Sequence, residues 1–144
     1  MRRIRLKTQR VIVHAPRALV FEVVASGGKV VERRSDTEQV AEFTTTVGRR
    51  KVTTLQLVRL RPPERIEYSW LEGPLHRVEE AIEMAEPAAG ATEVTYRGSF
   101  WTRALGWIPG RARIKRSFDR AVTRYLQQAK TIAERRARNR AQRQ

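Results

Sequence analysis

Arg111 to Ala133 reads RARIKRSFDRAVTRYLQQAKTIA, and its apolar residues recur with the period of a helix. Ile114, Phe118, Ala121, Val122, Tyr125, Ala129, Ile132 and Ala133 share one stripe. Arg113, Arg116, Arg120, Arg124, Gln127 and Thr131 take the opposite side. This is the strongest periodic signal in the chain, and it describes a long helix with one face to bury. From about Arg135 the stripe is lost, and residues 136–144 are expected to form a frayed or disordered basic tail.

The residues before this helix carry a period of two. Ala41, Phe43, Thr45 and Val47 line one face of a strand, as do Ile66, Tyr68 and Trp70. Val78, Ile82 and Met84 alternate in the same way with Glu80 among them, and so do Val94, Tyr96 and Phe100 with Gly98 between. Leu55 and Leu57 are expected on one face, with Val58 and Leu60 marking a slip or bulge. Ser35-Asp36, Gly48, Pro62-Pro63, Gly73-Pro74 and Pro87 to Gly90 supply turns between the runs. Upstream, residues 2–13 alternate as a strand, Pro16 opens a helix through its fixed φ, and Gly27-Gly28 end it after Leu19, Val20, Phe21, Val23 and Val24.

The order is therefore strand, short helix, about six strands, long helix. Consecutive strands joined by tight turns form an antiparallel meander. Only one helix is long enough to cover a sheet face. The expected fold is α+β, with a curved antiparallel sheet of about six to seven strands wrapped around the C-terminal helix. Residues 1–135 make a single domain, and incomplete filling leaves a cavity behind the helix.

With 144 residues and an apolar fraction of 40%, the chain holds enough material for one core and too little for two. There is no cysteine, which excludes disulfides, thiolate nucleophiles and Cys-based metal sites. The basic N-terminal residues are followed by no continuous apolar run, so neither a secretory signal nor a membrane span is indicated, and a cytoplasmic location is expected. The net charge of +15 is concentrated at the end. Residues 111–144 hold twelve Lys or Arg against Asp119 and Glu134. Arginine accounts for 25 of the 30 basic residues, a bias open to a compositional or a functional reading.

Three short segments carry a family resemblance. Val11-Ile12-Val13-His14-Ala15-Pro16 followed by Val20-Phe21 is similar to a first strand and an Ala-Pro helix start. Arg61-Pro62-Pro63-Glu64-Arg65-Ile66 is similar to a strand connection, and Gly90-Ala91-Thr92-Glu93-Val94 to the opening of a last strand. In this order, and followed by the long helix, they resemble the START-like, or birch-pollen-allergen-like, helix-grip superfamily and its bacterial polyketide cyclase/dehydrase and lipid-transport group. That resemblance implies a fold and a cavity. It implies no single function, because the superfamily includes lipid carriers, quinone-binding proteins, cyclases, hydrolases and stress proteins. Where the group usually carries a second small helix, this chain has only Ala25-Ser26-Gly27-Gly28.

No nucleophile elbow, phosphate loop, dinucleotide fingerprint or zinc-protease motif occurs. Neither a cofactor nor a metal is expected. The weak catalytic candidates are Glu80 and His76. An inward carboxylate at Glu80 would be desolvated and its pKa raised, as acid–base work requires. A reversed register, or an ion pair with a nearby Arg, would make it structural instead. Phe43, Tyr68, Trp70, Ile82, Met84, Tyr96, Phe118 and Tyr125 are the expected cavity wall and ligand contacts. The segment from Trp101 to Pro109 admits three readings: packing at the sheet edge, a lid over the cavity, or a membrane contact. In the last, Trp101 and Trp107 act beside Arg111 and Arg113.

Three function classes remain. The first is binding or carriage of a hydrophobic small molecule (lipid, quinone or polyketide-like), with an anionic membrane surface as a second partner. The second is an enzyme of the polyketide cyclase, aromatase or dehydratase type. The third is non-specific nucleic-acid binding through the basic helix and tail, since no sequence-reading motif is present. Monomer and homodimer are both compatible with the sequence.

Overall fold

A computed structural model describes residues 1–47, 49–102 and 110–143. The elements in chain order are β1 (Arg2–Arg5), β2 (Gln9–Val13), α1 (Arg17–Ala25), β3 (Lys29–Arg33), β4 (Glu38–Val47), β5 (Arg50–Arg61), β6 (Arg65–Glu72), β7 (Arg77–Ala88), β8 (Ala91–Thr102) and α2 (Gly110–Gln142). The strands form one antiparallel sheet ordered β1-β8-β7-β6-β5-β4-β3, and β2 also pairs with β8. The fold is the expected α+β helix-grip. The sheet curves round, and its inner face closes on α1 and α2.

The N-terminal strand is broken where one continuous strand was expected. Between Arg5↔Ser99 and Gln9↔Tyr96 the pairing with β8 slips by one residue. The extra residue lets Leu6 turn into the core while its amide still donates to the Gly98 carbonyl at 2.9 Å. A residue whose side chain must change faces cannot stay in a regular ladder.

Pro16 stands at the N-cap of α1, and the helix buries the five apolar residues that its spacing groups together. Gly27 and Gly28 then reverse the chain. Gly28 holds φ +77°, and a Cβ there would lie 2.7 Å from the Phe43 ring. A Cβ on Gly27 would lie 2.8 Å from the Tyr125 hydroxyl. The two glycines thus let Phe43 and Tyr125 approach the turn closely.

On α2 the stripe turns inward, with Val122 and Ala133 buried and the rest half-buried, and the arginine face is exposed, as the periodicity requires. Leu126 joins the stripe at 3% exposure. Asp119 and Glu134, the two acidic residues of α2, both turn toward the N-terminal strands. Lys7 N–H donates to Asp119 Oδ1 at 3.1 Å, and the His14 amide donates to Glu134 Oε2 at 2.8 Å. Partial burial works to raise the Glu134 pKa, but the His14 amide and the Lys130 ammonium outweigh it and hold the carboxyl below its usual range. The helix does not fray at Arg135. It runs on to Gln142, with Ala137 packed against the core and Arg140 3.6 Å from Glu22 of α1. Arginine and alanine are strong helix formers, so the helix outlasts its apolar stripe.

Candidate functional site

Between the inner face of the sheet and α2 lies a cavity of about 530 Å³, within the size range of small-molecule sites. Thr45, Pro74 and Arg113 are exposed and form its mouth, while Ile82 and Tyr96 are buried at its inner end. Of the eight expected wall residues, Phe43, Tyr68, Trp70, Ile82, Tyr96, Phe118 and Tyr125 line it. Met84 does not. It faces inward as its alternation requires, but pairs opposite Val94 and is packed solid in the core.

The aromatic wall is built by contact between elements. Phe118 of α2 stacks on Phe100 of β8 with ring centroids 5.9 Å apart and planes 8° from parallel, and lies 5.7 Å from the Trp70 ring of β6. Phe43 meets Tyr68 edge-on at 5.9 Å. These geometries suit ring quadrupoles and hold the wall rigid.

Leu55 and Leu57 share one face of β5, as their alternation requires. Leu55 and Leu57 point to the outer face, where Leu57 pairs with Val40, and the cavity side carries Val52, Thr54 and Gln56. The slip in β5 falls between Leu55 and Gln56 against β6. A hollow interior tolerates polar side chains that satisfy each other, and Gln56 Nε2 donates to Thr54 Oγ1 at 2.9 Å.

Glu80 does face the cavity, which excludes the reversed register. Its neighbours across the sheet are Tyr68 on β6 and Gly98 on β8. Tyr96 donates its hydroxyl hydrogen to Glu80 Oε2 at 2.5 Å. Burial pushes the Glu80 carboxyl above its ordinary pKa, opposed by the Tyr96 hydroxyl and the Trp70 indole, which favour its charged form. The indole N–H falls short of hydrogen-bond geometry, so Nε1 stays buried without a partner. Burial and the adjacent Glu80 raise Tyr96 well above the ordinary phenol range. Burial, then Tyr125 and Glu80, does the same to Tyr68. Burial pushes Tyr125 up to about 12, although contact with the Tyr68 hydroxyl works against the shift. No cation pairs with Glu80 among the described residues; its hydrogen-bond partner is the Tyr96 phenol.

His76, the other weak catalytic candidate, is exposed in the β6–β7 turn and lines no part of the cavity. Trp101 belongs to β8 and alternates outward. The Arg77 guanidinium sits 4.2 Å from its ring centroid and that of Arg3 5.6 Å, on the side of the sheet away from the cavity. Arg111 is half-buried in the first turn of α2, Arg113 is exposed at the mouth, and Trp107 lies outside the described residues. Gly98 was passed over in the sequence, although a glycine on the inward face of a strand is a signal of close approach.

No family model matches the sequence, and no curated protein matches it either. Solved structures match along nearly the whole chain. The Zhui aromatase/cyclase from Streptomyces sp. R1128 superposes with a TM-score of 0.74 at 21% identity, covering 97% of this chain and 96% of that one. The di-domain ARO/CYC StfQ of the steffimycin biosynthetic pathway gives 0.78 at 16% identity, covering 94% of this chain and 52% of that one. A START superfamily protein from Mycobacterium smegmatis gives 0.69 at 12% identity over 94% and 99%. The chain therefore has the helix-grip fold of the START-like superfamily, shared with aromatase/cyclases.

Proposed function

We propose that this chain binds a hydrophobic small molecule of lipid, quinone or polyketide-like character, and holds or carries it in the cavity between sheet and α2. The observation that carries this reading is the cavity itself: about 530 Å³, walled mainly by aromatic and aliphatic side chains. The fold neighbours support it, since they include a START superfamily protein and aromatase/cyclases. No helix of the described residues is long and apolar enough to cross a membrane. We place the protein in the cytoplasm, meeting anionic lipid through the exposed arginines of α2 beside the mouth, Arg113, Arg116 and Arg120.

A second reading, an enzyme of cyclase or aromatase type, is favoured by one observation. Glu80, Tyr68 and Tyr96 converge on one stretch of the wall. Such an enzyme holds a reactive chain in a folded pose while one acid–base group assists.

Native mass spectrometry of the purified protein, together with displacement of a fluorescent apolar dye, tests the main reading. The expected result is a co-purified or competing hydrophobic molecule that is lost in Ala121→Trp, which fills the cavity from α2, while the circular dichroism is unchanged. Failure of the wild-type protein to bind any apolar molecule or dye overturns it.

A further inference from the structure

Two of the hydroxyl hydrogens around Glu80 are committed to protein. Tyr96 gives its hydrogen to Glu80 Oε2, and Tyr125 gives its own to the Val24 carbonyl at 2.9 Å. A phenol has one hydrogen to donate and lone pairs to accept with. Each of these tyrosines therefore turns only acceptor capacity toward the cavity, and Glu80 adds its second oxygen, Oε1. The Trp70 indole N–H is buried and lies against Glu80 rather than the open space, while the Thr54 and Ser117 hydroxyls and the Arg113 guanidinium line other parts of the cavity. The Gln56 amide retains a hydrogen, but it sits on β5, two strands away from β7.

The free carboxyl oxygen of Glu80 selects the group that meets it. A carbonyl or ether oxygen placed against Oε1 would face lone pairs and stay unsatisfied in a desolvated site, which is costly. We propose, resting on the cavity being a binding site, that Glu80 is the specificity-determining acceptor for an apolar ligand whose inner end carries a hydroxyl group. The hydroxyl donates to Glu80 Oε1, with Tyr96 Oη as a neighbouring acceptor. The apolar body lies along Trp70, Phe118 and Phe43, whose faces and edges suit a flat ring system.

The test uses three probes of nearly equal shape: naphthol, its methyl ether and naphthalene. Dissociation constants are measured by calorimetry on the full chain and on Glu80→Leu. In the wild-type protein naphthol is expected to bind roughly ten times more tightly than the methyl ether, as a hydrogen bond to an ionised group in a dry site predicts. In Glu80→Leu the ratio falls to about one, while naphthalene binds as before, which also shows that the variant folds. Should the leucine variant not fold, Glu80→Gln keeps the shape of the side chain, and the ratio is expected to shrink. Naphthol and its ether binding the wild-type protein equally, or a ratio unaffected by either substitution, overturns the acceptor role and leaves the cavity reading standing. Failure of all three probes to bind the wild-type protein overturns both.

Discussion

Tyr96 and Gly98 are two residues apart on β8 and so face the same side of the sheet, where the Tyr96 hydroxyl lies over the glycine on its way to Glu80. A Cβ at position 98 would stand 2.5 Å from Tyr96 Oη, 3.0 Å from its ring carbon and 3.1 Å from Leu6 Cδ1. Gly98→Ala is therefore expected to push the phenol off Glu80 and to cost about 1–3 kcal/mol in urea unfolding. Combined with Tyr96→Phe the cost is expected to be less than additive, because the two changes act on one contact. Glu80 itself supplies a pH signature. Because burial raises its pKa, the native state keeps the proton to higher pH than the unfolded chain does. Stability from this group is present below the unfolded carboxyl pKa of 4.5 and is lost as pH rises through the native value. The titratable groups around it do not interfere, since Tyr68, Tyr96 and Tyr125 are all shifted upward. Glu80→Gln is thus expected to gain stability relative to wild type between about pH 4.5 and about pH 8. A difference that does not change with pH, measured by urea unfolding at the two ends, would show that the carboxyl is not desolvated in the folded protein.

At the scale of elements, α2 has two unequal parts. Its first part is gripped: Val122, Leu126 and Ala133 are buried, and Leu126→Ala is expected to cost about 2–5 kcal/mol by leaving a void in the core. Its last two turns are held by Ala137 and by the Arg140–Glu22 pair, both of whose side chains are largely exposed. Deleting residues 136–144 is expected to cost no more than about 1 kcal/mol, since exposed pairs contribute little. Thermal unfolding of the two variants separates the cases, and a truncation as damaging as Leu126→Ala would mean the end of α2 is gripped as well. The stripe was readable from sequence because a helix face repeats over many residues. The faces of β5 were not, because Leu55 and Leu57 offer the same hydrophobicity to either side of a strand and only the pairing with β4 and β6 decides between them.

For the whole molecule, the net charge of +15 is spread over exposed arginines, and part of the acidic complement is used internally. Asp119 and Glu134 fasten α2 to the N-terminal segment and pair with Lys115 and Lys130 of their own helix, which leaves its arginines as the exposed basic face. Binding to duplex DNA is expected to be weak, indifferent to sequence, and reduced by orders of magnitude between about 50 mM and about 200 mM salt. Fluorescence anisotropy with two unrelated duplexes at both salt concentrations checks this. Tight binding to only one of them at the higher concentration would restore nucleic-acid recognition as a function.

The one-dimensional pattern determined the class of fold, the meander order, the long helix and most of the inward faces, because each follows from a local period or a turn residue that the chain carries in itself. It also placed Glu80 among apolar neighbours without saying what met it there. The tertiary structure alone decided that its partner is the Tyr96 hydroxyl rather than an arginine, that Met84 is core while Trp70 is wall, and that Gly98 opens the space between them. These depend on cross-strand register and on how far a curved sheet stands off its helix, distances set by contacts between residues far apart in the chain, which no local period encodes.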